Sequence, residues 1–542
     1  MAQINKKYNI KRATNSKDCN KSAVILEDKK PLSQSMLWKL QSDFYEKLGP
    51  DAWIKGIVPQ YITTNPYIAT LYAKTAFGYC RDIASSKDYD KNTTIYIMEF
   101  AAGVGRFSFT FLKRFLDILD NSSLKGLKFK YIITDFAERN AAYWQNHSYF
   151  KPFLEKGILD FAVFDMIKDD TLSLRNSGEI LSKGHLNNPL ILFANYTFDS
   201  LPQDTFYVNE GELYEGLITI TSKDGQADPD DKSILAGLDY YYTDSIILGS
   251  NYYEETNINN ILLSYKACLK DTAFSLPIVA IRCIDRLKKL FNDDLIIITT
   301  DKGYRNISSM NKNYHPYLSK HGSISLTVNF HALELYFNGL GGNAIHSIYE
   351  HENVTMSLFL LSDRSHSFIE TAMAYHEIIE GIGPDDFYIM KKAIVPSSKS
   401  LTIKELLTFL RYTVWDARTF LEFYNTLLER IAAEEAFPKD ELATAIHKVW
   451  EYYFPIGEEG DLASCLASIL AYLGYDRDAI KLYQSSLEFY GEDAAIHYEI
   501  ALCYYNLQEP KKALDYIEKS LLLDPAFEES INLKRIIPDP LL

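Results

Sequence analysis

Residues 95–115, IYIMEFAAGVGRFSFTFLKRF, carry the pattern from which the fold is read. Residues 94–98 form a short β-branched and aromatic run, the signature of a strand buried on both faces. Glu99 ends it, Phe100-Ala101-Ala102-Gly103-Val104-Gly105 follows, and Phe107, Phe111, Leu112 and Phe115 then recur at helical spacing. The order is strand, tight glycine turn, helix. Such a turn presents backbone N–H groups and a helix N-terminus to a ligand. Gly103 and Gly105 allow φ values and a close approach that a Cβ would block.

Two ligands compete for this turn. A dinucleotide fingerprint requires a third glycine three residues after the second, where this chain has Ser108. The ribose-binding acid should also follow about 20 residues on, and Asp135 lies further along than that. An acid at the strand end and a small-residue turn without a pyrophosphate cradle suit S-adenosylmethionine better, because that ligand carries no phosphate. E-x-A-A-G-x-G resembles motif I of the class I S-adenosylmethionine-dependent methyltransferases, E/D-x-G-x-G-x-G, with Ala101 standing at the first glycine.

The remaining strands extend the pattern. Runs over 129–134, closed by Asp135, over 159–164, ending at Asp165, and over 190–194, ending at Asn195, alternate with helical segments. Alternation of this kind predicts a doubly wound, parallel α/β sheet. Further strands are expected at 295–300, 323–328 and 355–361, with a hairpin over 205–220 turning at Glu210-Gly211. Residues 253–291 read as mainly helical. In such a sheet ligands bind at the carboxyl ends of the strands near the switch in strand order. Glu99, Asp135, Asp165 and Asn195 therefore form one candidate set. Asp135 is placed to accept from ribose hydroxyls, and Asp165 with Met166 to flank an adenine. Each acid also has a plain reading as a cap or turn residue. Their common edge favours the joint functional one.

At 542 residues the chain holds two or three domains. A net charge of −16 argues against a nucleic-acid backbone as the main partner. The exception is local: Lys6, Lys7, Lys11, Arg12, Lys17 and Lys21 make the N-terminus basic, as a solvated tail. Six scattered cysteines without a C-x-x-C indicate neither a disulfide framework nor zinc, and read as thiols in a reducing compartment. His315, His321, His331, His346 and His351 match no metal-ligand spacing, so no metal is expected. No signal peptide core and no bilayer-spanning apolar run is present, so a cytoplasmic protein without a membrane partner is expected.

Before the α/β unit, residues 32–48 form an amphipathic helix (Leu37, Leu40, Phe44, Tyr45, Leu48) stopped by Gly49-Pro50. Asn65 and Pro66 suit the N-cap and first position of a helix running through Arg81. Residues 401–454 are helical, with Thr402 as cap and Pro438 as a break. Beyond them a period of 34 residues appears. Its second copy runs His497, Ile500, Ala501, Tyr504, Leu507, Ala513, Ile517, Ser520, Pro525. The first runs Ala463, Leu466, Ala467, Leu470, Leu473-Gly474, Ala479, Tyr483, Ser486. Ala467, Ala479, Ala501 and Ala513 fall where helices cross closely. These positions resemble tetratricopeptide repeats over 460–527. Two repeats rarely stand alone, so the 401–454 helices are expected to complete the stack.

With these residues in view, the chain resembles the MidA-type methyltransferases, whose mitochondrial member methylates an arginine on a respiratory complex I subunit. Tyr61-Ile62-Thr63-Thr64-Asn65-Pro66 stands where that family has a Phe-x-Thr-Ala-Pro-like segment, and MEFAAGVGR matches motif I. ANYTFDSLPQDTF, residues 194–206, looks like Ala-Asn-Glu-x-x-Asp-Ala-Leu-Pro. Asp301-Lys302-Gly303-Tyr304 and Asn329-Phe330-His331-Ala332-Leu333 resemble Asp-Tyr-Gly-Tyr and Asp-Phe-Thr-Ala-Leu. Ala101, Tyr196 and Asn329 depart from it, where the family has Gly, Glu and Asp.

The resemblance covers roughly 58–361. It implies a Rossmann-like class I methyltransferase domain followed by an all-α tetratricopeptide-repeat domain, with S-adenosylmethionine as cofactor and a protein arginine as acceptor. Glu99, Ala101, Gly103, Gly105, Asp135, Asp165, Met166, Asn195 and Thr64 would hold the cofactor, with the Thr63–Pro66 segment as a lid. Asp199 would position or deprotonate the acceptor beside Tyr196, with Glu99, Asp204 or Asp301 as a second acid. The repeats would recruit a protein partner. The expected divisions are a mobile basic tail (1–30), a helical cap (31–90), the methyltransferase domain (91–365), a helical connector (366–455) and the repeats (456–542). Two other functions stay open: a small-molecule methyltransferase, and a non-catalytic scaffold on a decayed methyltransferase fold.

Overall fold

The computed structural model describes residues 24–87, 89–183, 188–222, 237–247, 249–291, 294–310, 314–320, 323–349, 351, 353–362, 368–433 and 436–537. The basic residues from Lys6 to Lys21, Cys19, His321, the acidic loop 224–231 and the boundary expected at 363–367 lie outside them. Internal contacts divide the chain into two units. The first comprises Met1–Ala52, Gly78–Gly103 and Gly126–Gly381; the second comprises Trp53–Phe77, Val104–Lys125 and Ile382–Leu542.

The first unit is built on a seven-stranded sheet. Its strands are Ile95–Glu99 (β1), Phe129–Asp135 (β2), Leu159–Val163 (β3), Leu190–Asn195 (β4), Leu295–Asp301 (β5), Asn343–His346 (β6) and Thr355–Leu361 (β7). They lie in the order β6-β7-β5-β4-β1-β2-β3. Every residue of β1, β5 and β7 is buried, which is why these runs read as continuously apolar rather than alternating. The strands β1 to β5 are mutually parallel. Ile97 of β1 faces Tyr131 on one side and Ile191 on the other, so the strand order reverses at the β1/β4 pair. That reversal is the switch point of a doubly wound sheet. β7 runs antiparallel to both β5 and β6, which makes the sheet mixed where the sequence pattern predicts parallel pairing throughout. Local periodicity carries no information about direction.

A second, five-stranded sheet in this unit differs more from expectation. Its longest strand, Glu212–Ser222, pairs with Val24–Pro31, Asp204–Asn209 and Leu238–Ile246, and Asp204–Asn209 pairs with Thr272–Leu276. The hairpin at Glu210-Gly211 is as the sequence predicts. Two strands are not. Val24–Pro31 falls, but for its last residue, within the expected mobile tail of 1–30, because its exposed Asp28, Lys29 and Lys30 disguise an edge strand. Thr272–Leu276 falls within the stretch read as helical; all five residues are buried, and a short apolar run has no periodicity to separate strand from helix. The helix expected at 32–48 begins later, as Met36–Leu48 behind a 3₁₀ turn at Leu32–Gln34. Leu32, Leu37, Trp38 and Leu40 pack with Ile218, Ile220 and Leu326 in one apolar cluster.

The second unit is helical. Ile403–Tyr412, Ala417–Ala433 and Lys439–Tyr452 share one apolar core with Leu462–Leu473, Asp476–Tyr490 and Ala494–Asn506, while Pro510–Leu523 buries Ala513 and Ile517 in a second cluster with Ala501 and Leu533. Thr402 closes a capping box with Glu405. Ala467, Ala479, Ala501 and Ala513 are fully buried, as the repeat spacing requires. The helix after the glycine turn, Arg106–Asp120, also belongs here. Arg114 donates to Tyr452 at 2.8 Å and to Thr70 at 3.0 Å, and Phe109 packs against Phe454 at 5.2 Å. A buried charge cluster holds Tyr61 in the same unit. Asp416 accepts from the Tyr61 hydroxyl at 2.6 Å and lies 3.3 Å from Lys391, whose ammonium also meets Glu422 at 3.0 Å.

Candidate active site

Because β1 to β5 are parallel, their last residues share one edge, and the candidate acids arrive there by topology. At the end of β1 the chain turns sharply. Ala101 has φ +47° and Gly103 φ +55°, both in the left-handed region. An alanine there costs about 1–2 kcal/mol relative to a right-handed conformation. The backbone therefore keeps a glycine's shape even where the side chain is not glycine. Gly105, at φ +81°, caps the helix Arg106–Asp120 in the second unit.

Three bonds lock this turn in the first unit. The Gly103 N–H donates to Asp135 Oδ2 at 3.1 Å, and the Ala137 N–H donates to Asp135 Oδ1 at 3.0 Å. The indole of Trp144, fully buried, donates to the Gly103 carbonyl at 2.9 Å. Asp135 thus ties the end of β2 to the β1 turn. Burial pushes its carboxyl pKa up, against the pull of the Ala137 N–H, the Asn140 side chain and the Gly103 N–H. Each carboxylate oxygen still has acceptor capacity for a ribose hydroxyl. Glu99 is buried and accepts from the Tyr131 hydroxyl at 2.6 Å.

Beyond β3, Asp165 is used by its own turn. It accepts from the Ile167 N–H at 2.9 Å and pairs with Lys168 at 3.2 Å, which is the turn role weighed against adenine binding. Met166 beside it is buried, and its carbonyl accepts from Arg286. Asn195 is the last residue of β4, and Tyr196 after it takes φ +52°. Thr64 spends its hydroxyl on the Gln60 carbonyl at 2.9 Å, within its own helical turn in the second unit.

Asp199 and Asp301 form the most perturbed pair on this edge. They are 1% and 0% exposed. Asp301, at the end of β5, accepts from the N–H groups of Thr197 and Phe198 at 3.2 and 3.0 Å and hydrogen-bonds the Asp199 carboxyl. The Ser200 hydroxyl donates to Asp199 at 2.8 Å. Two buried carboxyls in hydrogen-bond contact share one proton. Burial raises Asp199 to about 6, against the Ser200 hydroxyl and the Lys302 charge. Asp301 is pushed well above the usual carboxylate range by burial and by the neighbouring Asp199. Both carboxyls are thus shifted upward, and the pair holds a proton more readily than two separate carboxyls would.

Sequence reasoning names Asp301 only as one of three alternatives, and it misses Trp144 and Tyr45. Tyr45 sits on the helix Met36–Leu48, its ring 6.3 Å from that of Phe136 and its hydroxyl bonded to Ser323. Nothing local in the sequence signals this, since Tyr45 fits an ordinary amphipathic face. Of the histidines, His315 lies 2.6 Å from Asp244 and 3.0 Å from Thr205, and His346 lies 2.9 Å from Ser357. Among the described residues no group of His, Cys, Asp and Glu could hold a metal, and no helix is long and apolar enough to cross a membrane.

Comparison with known proteins adds four likenesses. Residues 494–527 match the tetratricopeptide repeat model. No curated protein matches the chain. An uncharacterized COG1565 superfamily protein from Burkholderia thailandensis is similar in structure at 12% identity and a TM-score of 0.37, over 61% of this chain and 87% of that one. A COG1565 superfamily member from the same organism, bound to S-adenosyl-homocysteine, is similar at 12% identity and a TM-score of 0.37, over 65% and 84%. YrrB, a tetratricopeptide-repeat protein with a peptide-binding site, is similar at 15% identity and a TM-score of 0.16, over 25% and 86%.

Proposed function

We propose that the protein is an S-adenosylmethionine-dependent methyltransferase acting on a protein side chain, with the repeats recruiting the partner. The observation that carries this reading is the pairing, on one sheet edge, of a glycine-shaped turn tied to Asp135 with a proton-sharing acid pair. The turn fits the donor. Its left-handed residues set a tight bend, Ala101 at its exposed face and Gly103 tied to Asp135, and Asp135 offers acceptors for a ribose. S-adenosylmethionine, when bound, supplies a methyl group already activated on a sulfonium. The protein's part is then orientation, exclusion of water and handling of the proton.

Asp199 takes that last role. A base held near 6 is matched to accept a proton from the acceptor near neutral pH. The family resemblance points to arginine. A guanidinium wants two acids in a fork. With Tyr196 in place of a glutamate, Asp199 and Asp301 are the two available, and seating a cation between them would expel their shared proton. Calorimetric titration of the full chain with S-adenosyl-homocysteine tests the reading. We expect saturable one-to-one binding. No binding would sink it and leave the scaffold function.

A further inference from the structure

The helix Met36–Leu48 follows the carboxyl edge of the sheet from one end of the candidate site to the other. At Gln41 the side-chain amide donates to the Ser200 carbonyl at 2.9 Å, and its oxygen accepts from the Ile324 N–H at 2.6 Å. Ser200 is the neighbour that donates to Asp199. Four residues later, on the same helix face, comes Tyr45. Its ring meets Phe136 edge to face, with centroids 6.3 Å apart, and Phe136 directly follows Asp135. The Tyr45 hydroxyl bonds the Ser323 side chain, and the carboxyls of both Asp199 and Asp135 lie close enough for their charges to bear on it.

The far end of this helix is docked closely. Gly49 ends it at φ +53°, and a Cβ there would come within 2.7 Å of the Arg139 Cβ. The Arg139 guanidinium donates to the Lys47 carbonyl. Arg139 lies on the helix Glu138–Asn146, which begins just after Asp135. One helix is therefore fastened beside Asp199 at Gln41 and beside Asp135 at its C-terminus, with Tyr45 between the two anchors.

We propose that Tyr45 is a donor-retaining residue, whose ring forms the wall closing the Asp135 side of the edge over a bound S-adenosyl ligand. This rests on the cofactor reading given above. A side chain that only stabilised the helix would affect the empty and loaded protein alike. A closing wall acts on release.

The test measures the dissociation rate of S-adenosyl-homocysteine from the full chain and the melting temperature without ligand, for the wild type, Tyr45→Phe and Tyr45→Ala. We expect Tyr45→Ala to release the ligand about tenfold faster, the scale of one lost aromatic contact. Tyr45→Phe, which keeps the ring, should release it at close to the wild-type rate. Should Tyr45→Ala not fold, Tyr45→Leu keeps the apolar bulk without the aromatic edge and gives the same readout. Unchanged release in the alanine or leucine variant, with or without a lower melting temperature, overturns the role of Tyr45 alone. Absence of binding in the wild type overturns the cofactor reading, and this inference with it.

Discussion

The two units each bury acidic side chains, and they solve the problem in opposite ways. In the helical unit, Asp416 is 2% exposed and is answered by a cation, a phenol and the Thr419 N–H and hydroxyl at 2.8 and 2.6 Å. Lys391 serves both Asp416 and Glu422 and lies 4.3 Å from the centre of the Tyr61 ring. In the α/β unit, Asp199 and Asp301 are turned toward one another. Their charge is limited by a shared proton, and burial holds Asp199 near 6. A fully paired acid holds structure; one left to share a proton is poised to exchange it. On the function proposed above, the perturbed pair, not the larger number of charges, marks the chemical edge.

The largest effect that would collapse this contrast concerns turnover. Asp199→Asn keeps the shape and removes the base, so methyl transfer should fall by roughly 10²–10⁴-fold. Affinity for S-adenosyl-homocysteine should stay unchanged. A wild-type rate in this variant would put Asp199 in the same structural class as Asp416. Next in size, Lys391→Met should leave Asp416 buried without its cation, lowering stability by about 3–5 kcal/mol in denaturant unfolding. A loss below 1 kcal/mol would show that the helical cluster is not held by its ion pairs.

Smaller still, Asp135→Ala should weaken S-adenosyl-homocysteine binding by about 1–3 kcal/mol, read by calorimetry. Equal affinity with a lower ligand-free melting temperature would make Asp135 only the clamp of the Gly103 turn. The smallest effect is a pH dependence. A carboxyl raised by burial contributes its full stability below the unfolded value near 4, and loses it as pH rises through the folded value. Asn at position 301 keeps an acceptor for Thr197 and Phe198 and a donor for Asp199, but does not titrate. Asp301→Asn should therefore match the wild type near pH 4 and melt higher by roughly 2–4 °C near pH 8. A constant difference across that range would mean that the pair holds no shared proton.

Much of this architecture could be read one segment at a time. The strand, turn and helix from Ile95 onward announce themselves because burial on two faces, left-handed φ and a 3.6-residue period are all local properties. The repeats are visible for the same reason: a helix crossing that admits only alanine recurs every 34 residues at Ala467/Ala501 and Ala479/Ala513. Even the carboxyl-edge acids could be grouped, since each ends a recognisable strand and parallel strands end together.

Long-range pairing decided the rest. Val24–Pro31 is a strand only because Glu212–Ser222 lies beside it, and β7 is antiparallel only because of its partner β5. Asp301 stands 102 residues from Asp199 in number, and their contact depends on β4 and β5 being neighbours. Tyr45 looks like any residue of an amphipathic face until Gln41 and Gly49 fasten its helix along the site. A side chain's neighbours in sequence set its backbone, whereas desolvation, proton sharing and wall-forming contacts come from residues that only the tertiary fold brings near.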